Sequence, residues 1–203
     1  MDDESRRIAA VAAERFHECG ITATGVLALS QAAGVSKRTL YERFGSKDGL
    51  VVAAYESLDQ PVYELFTAAI DREIDDPREQ LDAFFAQLEP ILGSSDFRGC
   101  PFTNAVAELP DPGHPAHTVI RRHKGRIQRW LRDRAKAAGA EDPSALAREL
   151  MLLFAGAQAQ ALIEGSGRPA RDARRVAASL VRASTRSGGV RPNVEGRKAA
   201  PPA

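Results

Sequence analysis

The chain has 203 residues, enough for one large or two small domains, with 43% hydrophobic residues to build a core and an ordinary 27% charged. Its 28 Lys and Arg against 27 Asp and Glu leave a formal net charge of +1, so no overall positive field advertises nucleic acid and any basic surface must be local. Two cysteines, Cys19 and Cys100, give no disulfide framework, and the acidic start MDDES opens an amphipathic helix instead of a signal peptide, which fits a reducing cytoplasm.

Helix signals dominate from the start. Ile8, Val11, Ala12, Phe16 and Cys19 form a stripe at helical spacing, which Gly20 closes. Thr24 is placed to cap the next helix, with Val26, Leu29 and Ala33 on its inner face, and Gly34 can end it in the left-handed conformation. Ser36 then caps a helix on which Leu40 and Phe44, four apart, point into a core. Lys37, Arg38, Thr39 and Tyr41 are left on its other faces. Gly45 breaks it and Ser46 caps the next helix, which puts Lys47 at a helix N-terminus.

A long helical pattern follows through Leu50, Ala54, Leu58, Val62, Phe66 and Ile70. Pro61 lies inside it and should kink it or split it near Leu58 to Gln60. Pro77 opens another helix carrying Leu81, Phe84, Phe85 and Leu88, and residues 93 to 101 form a loop. Pro101 starts a short helix that stops at PDPGHP. Residues 116 to 138 form a basic helix with Val119, Ile120, Ile127, Trp130 and Leu131 on one side. Residues 144 to 164 are apolar nearly all round, but their longest apolar stretch, around Leu150 to Ile163, is broken by Gly156, Gln158 and Gln160 and is too short and too polar for a bilayer span. Pro169 begins the last helix, with Val176, Leu180 and Val181. The tail from Ser187, rich in Gly, Pro and Ala, reads as disordered. No stretch alternates with period two, so the fold class is all-α, with about nine helices. The expected division is a reader at 1–48, a body at 49–186 and a tail at 187–203.

Helix, glycine turn and polar-faced helix is the layout of a helix-turn-helix DNA reader. Residues 1 to 50 carry as many acidic as basic groups, yet Lys37, Arg38, Arg43 and Lys47 fall together, opposed there only by Glu42. The string AAGVSKRTLYERFGSKDGL resembles the DNA-binding segment of the TetR family of bacterial transcriptional repressors, over about the first fifty residues. Leu27 and Ala28 depart from the family, many of whose members carry polar or basic residues there. Lys37 and Arg38, in the first turn, can reach base edges, where an Arg can bond guanine at two acceptors. Ser36 and Thr39 suit nearby base or phosphate oxygens. The resemblance implies phosphate contacts for Tyr41 and Lys47, and Thr24 completes the candidate DNA-binding set.

The same resemblance implies a body that binds a small molecule and dimerises. One reader grips too few base pairs for tight specific binding, so a homodimer through the last two helices, on a pseudo-palindromic double-stranded operator, is expected. The small residues of 144 to 164 allow the close approach such an interface needs. Each body aromatic, taken singly, reads as core. An effector cavity, as implied by the resemblance, would draw on Phe66, Phe84, Phe102, Trp130 and Phe154, with Asn104, His123 and Gln158 to orient a ligand. Chemistry is poorly served: there is no phosphate-cradling glycine loop, nucleophile elbow or paired-histidine zinc motif. His114, His117 and Cys100 match no zinc spacing, so no metal and no cofactor is expected. The expectation is therefore a ligand-released repressor; a constitutive DNA binder without effector is the alternative.

Overall fold

The computed structural model describes residues 1–186, so the expected tail at 187–203 lies outside the described residues. Ten helices and no strand are found there: α1 (Asp3–Cys19), α2 (Val26–Ala33), α3 (Lys37–Phe44), α4 (Lys47–Glu73), α5 (Pro77–Ala86), α6 (Leu88–Leu92), α7 (Pro101–Glu108), α8 (Ala116–Ala137), α9 (Pro143–Glu164) and α10 (Arg168–Arg186).

Local chemistry explains most boundaries. The Asp2 carboxylate accepts from the Ser5 N–H at 2.8 Å to start α1, and Asp142 does the same for Ser144 and Ala145 at the start of α9. One expected cap is replaced. Gly25, not Thr24, precedes α2, and the Thr24 hydroxyl turns back to donate to the Gly20 carbonyl at 2.5 Å. Pro61 does not divide α4, which runs unbroken for 27 residues with the proline on its exposed side. The missed breaker is Pro90. Its ring would crowd the carbonyl of Ala86, four residues back, and the helix from Pro77 is interrupted just after Ala86 to give α5 and α6.

Two hydrophobic clusters result. One joins Ile8, Phe16, Leu29, Leu40, Leu50 and Tyr55 of α1 to α4 with Cys100, Phe102, Ala105, Val119 and Ile120 of α7 and the start of α8. The other fills the body with Phe66, Phe84, Phe85, Trp130, Leu150 and Phe154. The core under the recognition helix therefore continues into α7, where Phe102 packs against Tyr55 with ring centroids 5.7 Å apart. By length and composition α9 is apolar enough to cross a membrane, against the sequence expectation; here Leu146, Leu150, Phe154 and Ala161 bury it against α8 and α10.

Gly34 holds φ 66°, ψ 32°, and its N–H closes α2 on Gln31 and Ser30. Nothing lies within 4 Å of an added Cβ, so strain alone is at issue. Gly34→Ala is expected to cost about 1 kcal/mol, read as a lowered urea midpoint at unchanged m-value.

Candidate functional site

The turn between α2 and α3 sets the first half of the site. Gly34 reverses the chain, the Ser36 hydroxyl accepts from the Thr39 N–H at 3.0 Å, and α3 starts with Lys37 and Arg38 exposed in its first turn. Leu40 is buried at 3% exposure and fixes the rotation of the helix, which leaves Tyr41 half-exposed on the outside. Arg38 lies along α3 with its Nε 2.7 Å from Glu42, an exposed pair easily exchanged for another anion. Ser36 and Thr39 share a hydroxyl contact of 2.9 Å, so both oxygens sit together at the helix start.

Two basic residues are used otherwise than expected. Arg43 turns away from the α3 surface to bond Asp2 at 2.8 Å and the Ser5 hydroxyl at 3.0 Å, with Glu4 as a further partner, and so ties α3 to α1. Lys47, half-buried, donates to the Ile21 carbonyl at 2.6 Å, which anchors the start of α4 to the α1–α2 loop. An ammonium has three N–H donors, so two remain for a phosphate. Thr24 is the correction: at 5% exposure with its hydroxyl spent on Gly20, it holds the loop together and offers DNA nothing. Leu27 and Ala28 stand exposed on α2, leaving that helix an apolar outer face.

The second half is a cavity of about 330 Å³ in the body, beside the reader. Phe66, His123, Phe154 and Gln158 line it as expected from the sequence. Phe84, Phe102, Trp130 and Asn104 do not. Phe84 is sealed in the core between Trp130, 5.5 Å away, and Phe154, 5.2 Å away. The Trp130 indole N–H is taken by Asp71 at 2.9 Å. Asn104 donates to the Arg98 carbonyl at 2.8 Å, pinning the loop before α7, where Gly99 takes φ 85°. Phe102 lies behind His123, stacked on its ring at 3.7 Å.

Sequence reasoning missed His17, Phe97, Arg98, Cys100, Lys124 and Ile127 in this lining. His17 had no signal, because its place on an N-terminal helix says nothing about which body loop will cover it. Cys100 and Lys124 face each other with Nζ 3.2 Å from Sγ, a pair that 24 residues separate in sequence. Gln158, 6% exposed, leaves its Oε1 without a partner, and His17 Nδ1 is likewise unpaired. Buried polar atoms are nearly always satisfied, so these two have hydrogen-bonding capacity open to a water or a ligand group.

A buried ion cluster fastens α4 to α8 just outside this cavity. Asp59, 6% exposed, meets His123 Nδ1 at 3.0 Å, Arg126 at 3.1 Å and Arg122 at 3.2 Å. Arg126 also donates to Gln60 at 2.7 Å and stacks over the Tyr63 ring at 4.1 Å. The basic face of α8 is thus partly consumed at home. His114 is a loop residue as expected, but His117 lies in the first turn of α8, bonded through Nε2 to the Leu109 carbonyl at 2.9 Å.

A two-helix reader with an exposed basic first turn, mounted on a helical body with a cavity, defines a helix-turn-helix transcriptional regulator. Residues 8–54 match the profile of the bacterial regulatory proteins of the tetR family, and residues 77–177 match the tetracyclin repressor-like C-terminal domain. The chain belongs to the TetR family. It is similar to the TetR-family regulator SCO4454 of Streptomyces coelicolor, with 27% identity and a TM-score of 0.82 over 91% of this chain and 97% of that one. It is similar as well to the tetR-type regulator sav143 of Streptomyces avermitilis, 33% identical with a TM-score of 0.79 over 90% and 98%. The HTH-type transcriptional regulator YjdC of Escherichia coli is 24% identical over 144 residues, 70% of this chain and 75% of that relative.

Proposed function

We propose that this regulator is a cytoplasmic repressor that binds a pseudo-palindromic operator as a homodimer and releases it when a small molecule occupies the cavity. Lys37 and Arg38 read bases, Ser36, Thr39 and Tyr41 contact bases or phosphates, and Lys47 adds a phosphate contact at the start of α4. The reader is residues 1–48 and the effector and dimer body is residues 49–186.

The observation that carries the release is the composition of the cavity wall. His17 on α1 belongs to the reader, whereas Phe154 and Gln158 on α9 belong to the far side of the body. Glu108, at the end of α7, accepts from the Thr22 N–H at 2.9 Å in the α1–α2 loop. A ligand between these walls has direct purchase on α1 and α7 as well as on α4, the lever expected from the sequence. Half-sites about one DNA turn apart tolerate little change in the spacing of two α3 helices.

A screen for operator release with small apolar and aromatic compounds tests this reading. The effector must bind the DNA-incompetent state more tightly, so a ligand with equal affinity for free and operator-bound protein refutes the coupling. Operator affinity that no compound changes favours the constitutive binder.

The dimer has its own support. Leu152 is 74% exposed, Leu162 50% and Ile163 79% on α9, with Val176 at 37% on α10. Ala155, Gly156 and Ala159 lie exposed among them, which makes a continuous apolar face that a monomer would present to water. Sedimentation is expected to give twice the 21.9 kDa chain mass, and Leu152→Glu with Ile163→Glu to give a folded monomer that has lost operator binding. A double variant that stays dimeric would move the interface elsewhere.

A further inference from the structure

We propose that the ligand of this cavity is a soft carbon electrophile, an α,β-unsaturated carbonyl compound or quinone, which Cys100 captures covalently. The inference rests on the cavity being the effector site. It goes further by naming the chemical class of the effector and the atom that takes it.

Three observations converge. The first is the thiol itself. Cys100 is only 8% exposed and borders the cavity at the N-terminus of α7, held there by the turn at Gly99 and the bond from Asn104 to Arg98. Burial alone would push its ionisation up, but the Lys124 ammonium and the hydroxyl and N–H of Thr103 outweigh burial and hold it below the ordinary thiol value. A thiolate is the reactive form, and a cation beside a helix N-terminus is the environment that favours it. The second is the placement of Lys124. Its Nζ lies 3.2 Å from Sγ and 5.5 Å from the centre of the Phe154 ring, so its charge is spent inside the cavity. The third is Gln158, across on α9, whose buried amide oxygen has no partner. An amide rotated by half a turn presents N–H instead of oxygen, so this group can meet a ligand carbonyl.

Apolar walls of Phe66, Phe97, Ile127 and Phe154 suit a flat conjugated body. In the addition, the Cys100 sulfur bonds to the β-carbon while the alkene pair moves to the carbonyl oxygen as an enolate. Gln158 donates to that oxygen. The α-carbon then takes a proton from the Lys124 ammonium, which solvent restores with the proton that Cys100 released, so the net change is addition of S–H across C=C. No oxidant or further reactant enters. Cys100 and Phe102 sit in the same hydrophobic cluster as Leu40 of α3, so an adduct there presses on the core under the recognition helix.

The two cysteines allow an internal comparison, because Cys19 is exposed. Full-length protein would be treated with methyl vinyl ketone or 1,4-benzoquinone at pH 7 and the adducts mapped by mass spectrometry. Cys100 is expected to react first despite its burial. Lys124→Met, which keeps the stem and removes the charge, should slow it about tenfold at pH 7 by lowering the thiolate population, and shift the pH–rate midpoint upward. Cys100→Ser should lose the fast adduct and leave Cys19 labelling unchanged. Preferential labelling of Cys19, or an unaltered rate in Lys124→Met, overturns the proposal and leaves a reversible effector open. Fast, Lys124-dependent capture that leaves operator binding unchanged supports the chemistry and refutes the ligand-released repressor instead.

Discussion

Asp59→Ala is expected to destabilise the protein by about 3 kcal/mol, because removing one partner leaves the others buried without their countercharge. Asp59 joins α4 to α8 through His123, Arg126 and Arg122 at 3.0 to 3.2 Å. Arg126 is only 24% exposed and cannot recover full hydration, whereas Arg122 at 49% can, which keeps the cost toward the low end for a buried pair. For a domain of this size the melting temperature should fall by roughly 6–12 °C, compared at equal protomer concentration because dimerisation shifts the midpoint. Asp59→Asn, which retains an acceptor for His123, should fall between. A variant that melts with the wild type would make the cluster an ornament.

The same cluster gives a pH dependence with a defined sign. Burial pushes the Asp59 carboxyl up, but bonds from His123 and the charges of Arg126 and Arg122 pull it below the usual carboxylate value. Its contribution is present above the unfolded carboxylate pKa of about 4 and is lost as pH falls through the lower folded value. Burial depresses the His123 imidazole, and Asp59 only partly restores it. The unfolded imidazole therefore binds a proton first, and stability falls as pH drops below about 6.5. Urea midpoints should decline from pH 7 toward pH 4 in two limbs, and His123→Gln should remove the upper one.

Arg38→Ala is expected to change which operator sequence is bound. A base contact by Arg typically discriminates by about 1–3 kcal/mol, so affinity for the preferred operator should fall by roughly 5-fold to 150-fold. Affinity for random DNA should change little, since exposed phosphate contacts supply that part and its salt dependence. Arg38 is free to do this because its one partner, Glu42, is a neighbour on the same exposed helix. Binding selection on randomised duplexes reads the outcome directly. An unchanged preferred sequence would take Arg38 out of the base-reading set and leave Lys37 as the remaining candidate.

The sequence was most informative where the signal was local. Gly34, Ser36 and the Leu40–Phe44 spacing act over one or two helical turns, so the reader could be drawn from them and the resemblance of AAGVSKRTLYERFGSKDGL confirmed its kind. Pro61 does not split its helix. Read alone it should kink or split α4, but it lies on the exposed side of an unbroken helix held to α8 by the cluster at Asp59, two residues away. Pro90 carried the same local rule, and there it operated.

What only the tertiary structure decided is how distant segments share their side chains. Thr24 looks like a cap until the Gly20 carbonyl is seen above it, and Arg43 counts with the local basic cluster until Asp2 and Glu4 arrive from the start of α1. Among the aromatics, packing against α5, α8 and α9 sealed Phe84 and Trp130 and left Phe66 and Phe154 on the cavity wall, a sorting that depends on helix rotation by a fraction of a turn. Cys100, Lys124, Gln158 and His17 carry no shared motif because they lie on four different helices or their caps. Helix propensity, caps and turn glycines are written in neighbouring residues; which charges meet and which walls enclose a ligand is set by long-range packing, where the alternatives differ by contacts that no local window contains.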